Sequence, residues 1–416
     1  MKFNKISGPP AAGVRRRGRL SQLLLVSIIG LAVAMLLSAC QLVTIDYVYL
    51  ASIKDGAGVV ESFAADSQSG ALRNGPASVS SGGNNPVAMA VSPNYANLYV
   101  GNADNNTVVH FAIDSNGVLT KKDSVTLATA PAALAVNATG SYLYVASGTT
   151  SANLTEYALS SGTIGSAVAQ ESLVLPEPAF ANDIMVPTGV NVLVSEAGVY
   201  VSAYDKSAYN PGNPVTSTAN PGWVFGFAVG SGGALSPSQD SPYHTGVKPS
   251  ALISDPTSRY VYVTDFASNS LVGYGVTSGS TLNFLVSGPY KTGNEPSAIA
   301  IDARGKYIYV ANALDSSVNA YAIDLATGIP SAVINTTGSQ INATDSVPVS
   351  LVVDPALARF VYTANFLGNS ISGFQINPDT GAIHSTQSTP YPSGTSHPTS
   401  IVCIPHGNHS IQAPLS

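Results

Sequence analysis

"YVYVTDFASNSLVGYGV", residues 260–276, returns as "YIYVANALDSSVNAYAI" at 307–323 and as "FVYTANFLGNSISGFQI" at 360–376. Each copy is 17 residues long, with an aromatic at its third position (Tyr262, Tyr309, Tyr362) and another at its fifteenth (Tyr274, Tyr321, Phe374). Two Val/Ile/Tyr-rich runs flank a polar Asn/Asp/Ser turn, the pattern of two strands joined as a hairpin. A phrase repeated this regularly predicts an architecture built from repeats.

The hairpin belongs to a longer unit. About thirteen residues before the key tyrosine stands a proline followed by an apolar run, as in "NPVAMAVSP", "KPSALISDP" and "EPSAIAIDA". The prolines are Pro86, Pro131, Pro187, Pro249, Pro296, Pro348 and Pro398, spaced 45, 56, 62, 47, 52 and 50 apart. Periods in this range, with several strands per unit, are those of propeller blades. The proline opens an innermost strand A, because the first residue of a strand does not yet need its N–H for the ladder. "YIYVA" supplies strand B, "VNAYAI" strand C, and a less regular segment such as "IPSAVINT" an outer strand D.

The chain ends complete the count. "YVYLAS" (47–52), "GVVESFAA" and the run after it give strands B, C and D with no A strand before them, while "HPTSIVCI" (397–404) gives an A strand with nothing after it. One blade built from both termini closes the ring and leaves no inner edge unpaired. The expected fold is all-β: a seven-bladed propeller of four-stranded antiparallel blades over 45–405, with a tail at 406–416.

Charged residues make up 10% of the 416, while Gly (38), Pro (27) and Tyr (20) are plentiful, a composition suited to short strands and many turns. The first 39 residues stand apart. Lys2, Lys5, Arg15, Arg16, Arg17 and Arg19 precede an uncharged 15-residue run, Leu23 to Leu37, short of the roughly 20 residues a membrane span needs. The run ends in Leu37-Ser38-Ala39-Cys40, which resembles the lipobox of bacterial lipoproteins. That resemblance implies a signal peptide 1–39, a lipidated Cys40 with a short tether at 40–44, and a cell-envelope address on the periplasmic side or the surface. Without the leader, 11 Lys plus Arg face 23 Asp plus Glu, a balance of −12. An acidic body with no basic run excludes nucleic acid as a partner and leaves the lipid as the membrane contact. With Cys40 acylated, Cys403 has no partner for a disulfide and reads as a small buried hydrophobe. No Cys/His metal spacing, phosphate loop or nucleophile elbow occurs, so no cofactor or metal is expected, and the protein reads as a monomer.

"YVYVTD", "YIYVAN" and "FVYTAN" with their paired strands resemble the YVTN-type repeats of the lactonase-like seven-bladed propellers, a family that includes bacterial 6-phosphogluconolactonases. The resemblance covers roughly 45–405 and implies lactone hydrolysis by His, Arg and Glu around the channel. Members of that family often carry Pro-Arg-His at the start of an A strand; here the place reads Pro-Val, Pro-Ala, Pro-Thr or Pro-Ser throughout.

In a propeller the D–A connections and B–C turns share the face where ligands meet the central channel. The residues just before the seven prolines are Asn85, Ala130, Val186, Lys248, Glu295, Val347 and His397. Lys248, Glu295 and His397 are the candidate catalytic group, a cation, an acid and a base around one opening; solvated loop residues are the alternative. Asn85 joins the ligand-binding candidates. One B–C connection is long: "AYDKSAYNPGNPVTSTANPGW" (203–223) carries Tyr204, Asp205, Tyr209 and the only tryptophan, Trp223. Long loops on rigid scaffolds often bind, and self-packing is the alternative. Two functions stay open: an envelope lipoprotein whose propeller binds a protein, glycan or small molecule, or a lactone hydrolase of the 6-phosphogluconolactonase type.

Overall fold

In a computed structural model of the chain, the described residues are Gly8, 43–175, 184–209, 221–407 and 414–415. The remainder of the leader, Cys40 and most of the long loop and tail fall outside them. Among the described residues no helix is long and apolar enough to cross a membrane.

Thr44–Ser416 is one compact unit, and seven antiparallel sheets make it up, each ordered A-B-C-D from the inside outward. Blade 1 takes its A strand from the C-terminus (Ser396–Pro405) and its B, C and D strands from the N-terminus (Thr44–Lys54, Ala57–Asp66, Leu72–Asn74). Asp46 pairs with Pro405 and Leu50 with Ile401 along this closing seam. The A strands of blades 2 to 7 are Pro86–Val91, Pro131–Val136, Met185–Val192, Pro249–Ser254, Pro296–Ile301 and Pro348–Val353. Each touches the next around the ring, and the last returns to blade 1. The expected fold is the observed one. Strand D departs from the expected single segment in blades 1 and 4 to 7, where two short pieces, such as Pro330–Ala332 and Asn342–Ala343, pair with one C strand.

The recurring aromatics now have a physical role. The third-position tyrosine of a B strand donates its hydroxyl forward to a carbonyl in the C–D turn of the next blade. Tyr49 reaches Gly117 O at 2.8 Å, Tyr99 reaches Gly162 O at 2.7 Å, and Tyr200 reaches Ser280 O at 2.8 Å. Tyr262 reaches Gly328 O at 2.6 Å, Tyr309 reaches Gly381 O at 3.2 Å, and Tyr362 closes the circuit on Gly70 O at 2.8 Å. The fifteenth-position tyrosines point the other way, Tyr274 to His244 O and Tyr321 to Lys291 O of the preceding blade. Wedge-shaped blades need their seams filled, and a large ring with one hydroxyl fills the gap and satisfies a buried carbonyl together.

In blade 6 the acceptor position needs glycine for two reasons. Gly328 has φ of 74°, and a Cβ there would come within 2.3 Å of the Tyr260 ring. Tyr262→Phe, which leaves the Gly328 carbonyl unpartnered, is expected to cost about 1–2 kcal/mol. Gly328→Ala, which adds a left-handed alanine and a ring clash, should cost more than that. Urea unfolding of the two variants checks the order, and equal midpoints would reject this account of the seam.

Blade 3 breaks the circuit. Tyr144 has Glu156 opposite it across the B–C pair, where blades 1, 4, 5, 6 and 7 place Ser62, Gly226, Gly273, Ala320 and Gly373. The Glu156 carboxyl is fully buried beside the Tyr144 hydroxyl and Gly233, yet neither of its oxygens meets a donor at hydrogen-bond geometry. Burial pushes this carboxyl up to about 7.

Candidate functional site

Each A strand enters at the mouth of the channel with a proline and then a register shift that leaves the next residue unpaired, as between Pro249 and Ala251. Such a bulge re-aims a side chain. The skipped residue turns sideways: Ser250 Oγ donates to Pro296 O, Ser297 Oγ to Pro348 O (both 2.6 Å), and Thr399 Oγ1 to Pro86 O (2.7 Å). The channel inside this collar has a volume of about 280 Å³ and is lined by apolar and hydroxyl side chains. No charged residue lines it among the described residues.

The rim is held in an unusual conformation. Residues before proline favour extended backbone, yet Glu295, Val347 and His397 have φ of 55°, 59° and 49°. Left-handed backbone at a β-branched residue such as Val347 costs roughly 1–3 kcal/mol. The B–C turn of the preceding blade holds it there. Glu295 N–H donates to Asn269 Oδ1 (2.8 Å), His397 N–H to Asn369 Oδ1 (2.8 Å), and Val347 N–H to Ser316 Oγ (3.3 Å).

Lys248 is the centre of the most elaborate group. Its Nζ lies 5.5 Å from the Tyr204 ring centroid, 5.1 Å from that of Tyr209 and 4.6 Å from that of Phe266. Tyr204 and Tyr209 meet edge to face at 5.6 Å. Burial lowers the ammonium pKa, and the nearby Glu295 and Asp265 charges oppose the shift. Burial together with Asp265 and Glu295 also raises the Tyr209 phenol. Rings from blade 4 and a cation and a ring from blade 5 therefore cluster together, with an acid from blade 6 within electrostatic reach. Two separate sequence arguments, the rim position and the long loop, named four of these residues (Lys248, Glu295, Tyr204, Tyr209). Phe266 was missed; it opens a B–C turn whose other residues are small or polar, and its counterpart Phe366 is the signal that would have found it.

His397 lies elsewhere on the rim. It is exposed and stacks on Phe366, ring centroids 4.7 Å apart, three blades on from Lys248. Asn85 is exposed, with its backbone engaged by Asp104 and Ala103. Two expected ligand contacts prove to be committed inside the fold. Asp205 is 2% exposed and accepts from Ile184 N, Ser207 N and Ser207 Oγ, so its carboxylate holds the end of strand B. Trp223 sits in strand Gly222–Val229 and not in the loop, 8% exposed, its ring 3.8 Å from that of His244. The loop is therefore shorter than the quoted stretch, and its residues 210–220 lie outside the described set. Arg304 and Arg359 lie on the underside, Arg304 Nε at 2.8 Å from Asp302 and Arg359 against Ser67 O. Cys403 is buried, and burial pushes its thiol up, as expected of a packing residue.

A closed ring of seven blades with polar and aromatic side chains gathered at its mouth is a seven-bladed propeller. The chain belongs to the lactonase, 7-bladed beta-propeller family, whose model matches residues 60–181 and 241–411. The unmatched stretch between them holds strands A to C of blade 4, with Tyr204 and Tyr209. Among solved structures, it is similar to a periplasmic gluconolactonase of Pseudomonas aeruginosa (16% identity, 88% of this chain and 100% of that one, TM-score 0.70). Also similar are candidate 6-phosphogluconolactonases of Bacteroides fragilis (15%, 87% and 98%, TM-score 0.67) and Bacteroides uniformis (16%, 87% and 100%, TM-score 0.69). At these identities the likeness is one of fold. No protein of curated function matches the chain.

Proposed function

We propose that this protein is a ligand-binding propeller of the cell envelope, taking a small polyhydroxylated acid or its lactone in the recess over blades 4 to 6. The observation that carries the reading is Lys248 held among three rings beside Glu295. Ring faces pack against the C–H side of a sugar skeleton, an ammonium donates to a carboxylate or lactone carbonyl, and a carboxylate accepts from hydroxyls. Two of the rings come from the stretch outside the family match, which favours a recognition role peculiar to this chain. The periplasmic gluconolactonase among its structural neighbours supports the ligand class and the envelope address. In the same reading the leader is removed, a lipid on Cys40 tethers the protein, and the propeller works as a monomer.

Hydrolysis is the second reading, favoured by the family and by the lowered pKa of Lys248 next to Glu295. A developing oxyanion needs an aimed donor, and Lys248 is the candidate within the recess. Calorimetry with gluconate and a pH-stat assay with gluconolactone separate the two. The expected result is gluconate binding weakened about tenfold or more by Lys248→Met and by Tyr209→Ala, with no enzymatic turnover. Turnover abolished by Glu295→Gln would establish the second reading instead, and neither binding nor turnover would reject both.

A further inference from the structure

A hollow lies on the opposite face, at the seam of blades 1 and 2. It has a volume of about 680 Å³, within the range of small-molecule sites. The start of strand B of blade 1, the end of strand A of the same blade, and the A–B and C–D turns of blade 2 surround it. Tyr47, Tyr95, Asn94, Asp114, Asn116 and His406 supply its functional groups.

Much of their hydrogen-bonding capacity is unspent. Asp114 Oδ1 accepts from Asn116 N–H (2.8 Å) and Val118 N–H (2.9 Å), and among the described residues no donor meets Oδ2. Asn94 Oδ1 accepts from Ser92 Oγ (2.6 Å) and Ala96 N–H (3.1 Å), and its amide NH₂ is unengaged. His406 donates its backbone N–H to Ile45 O at 2.8 Å, while its ring Nδ1 is buried without a partner.

The chemistry excludes two ligand classes. No Lys or Arg lines the hollow among the described residues, and Asp114 is present, so an anion has nothing to pair with. A cation cage needs free ring faces, and those of Tyr47 are taken. Gly117 lies against the ring so closely that a Cβ there would come within 2.5 Å, and His406 meets it edge to face at 5.0 Å. What remains is a carboxylate oxygen, two amides, an imidazole nitrogen and phenol edges around a hollow of disaccharide size. That set matches the alternating donors and acceptors of neutral hydroxyl groups.

We infer that the underside hollow at the seam of blades 1 and 2 is a second binding site, for a neutral saccharide. It is independent of the recess around Lys248. The test is saturation-transfer NMR and calorimetry on the purified full-length protein. Maltose is the probe, with gluconate and tetramethylammonium as the anionic and cationic comparators. Asp114→Asn keeps the acceptor oxygen that holds the turn, and Asn116→Ala removes an exposed amide, so neither should shift the melting temperature. The expected result is maltose binding that either variant weakens tenfold or more and that Lys248→Met leaves unchanged. Absence of maltose binding, indifference to both variants, or loss through Lys248→Met overturns the inference. So does tetramethylammonium or gluconate competing for the hollow in place of maltose.

Discussion

Removing residues 396–416 should abolish cooperative folding. The strand Ser396–Pro405 is the innermost of blade 1, and through it the A strand of blade 7 meets that of blade 2. Its Ile401, Cys403 and Ile404 are 3%, 5% and 3% exposed, and each isoleucine contributes about 1.5–3 kcal/mol by its burial. Adding the lost ladder and the packing of Thr44–Lys54 brings the total close to the roughly 5–15 kcal/mol that a folded domain has in hand. The truncated chain would also expose a bare inner edge, which invites aggregation. Circular dichroism and calorimetry should show no sharp melting transition and no near-ultraviolet signal. Removing only 406–416 serves as the control and should leave the melt nearly unchanged. A 396–416 deletion that still melts cooperatively at the full-length temperature would refute the closure.

The second large effect concerns Glu156. Its carboxyl ionises near 4.5 in an unfolded chain and at about 7 in the fold. Folding therefore favours the neutral acid, and the stabilisation is complete below about 4.5. Between 4.5 and 7 the unfolded chain has lost this proton and the folded one still holds it, so stability falls as pH rises. Above about 7 the loss levels off, at about 2–3 kcal/mol for a shift of this size. Glu156→Gln keeps the shape and removes the ionisation. At pH 8 it should be more stable than the natural protein by about 2 kcal/mol, with no gain at pH 4. Asp46, which burial and the neighbouring Asp354 also hold well above its ordinary value, gives a slope of the same sign and persists in the variant. Denaturant titrations at pH 4, 6 and 8 read the difference; a Gln variant no more stable at pH 8 would mean the carboxyl is solvated.

Much of the fold was legible because its determinants recur. Tyr262, Tyr309 and Tyr362 repeat because each meets the same seam, and Pro249 and Pro296 because each starts the same strand. A pattern that returns seven times can be read from spacing alone. Single occurrences resist that reading. Trp223 looked like a loop residue because Asn-Pro and Pro-Gly steps precede it, yet strand C begins one residue earlier, at Gly222. Asp205 carries the same carboxylate whether it meets a ligand or caps a turn, and only its burial against Ser207 decides. The Lys248 recess was half legible. Its members are far apart in sequence, and Phe266, set among small and polar turn residues, gave no sign that it faces the same cation. Glu156 was legible in principle, since Gly226, Gly273 and Gly373 hold the corresponding place in blades 4, 5 and 7 and a carboxylate there breaks the pattern.

The forward circuit of the third-position tyrosine hydroxyls bears on how such a molecule grows. Each whole repeat brings one hydroxyl to give and one turn carbonyl to receive it, so duplicating or losing a repeat keeps the two numbers equal whatever the blade count. Part of a repeat would strand a giver or a receiver at a seam. The natural break in the chain respects this arithmetic: Tyr49 and Gly70 of blade 1 both lie after the N-terminal start of the ring, and the C-terminus contributes a strand that takes no part in the exchange. Whole units thus suit the bonding itself, and blade 3 is the exception: its Gly162 O still receives from Tyr99, while its own Tyr144 faces Glu156 in place of a turn carbonyl.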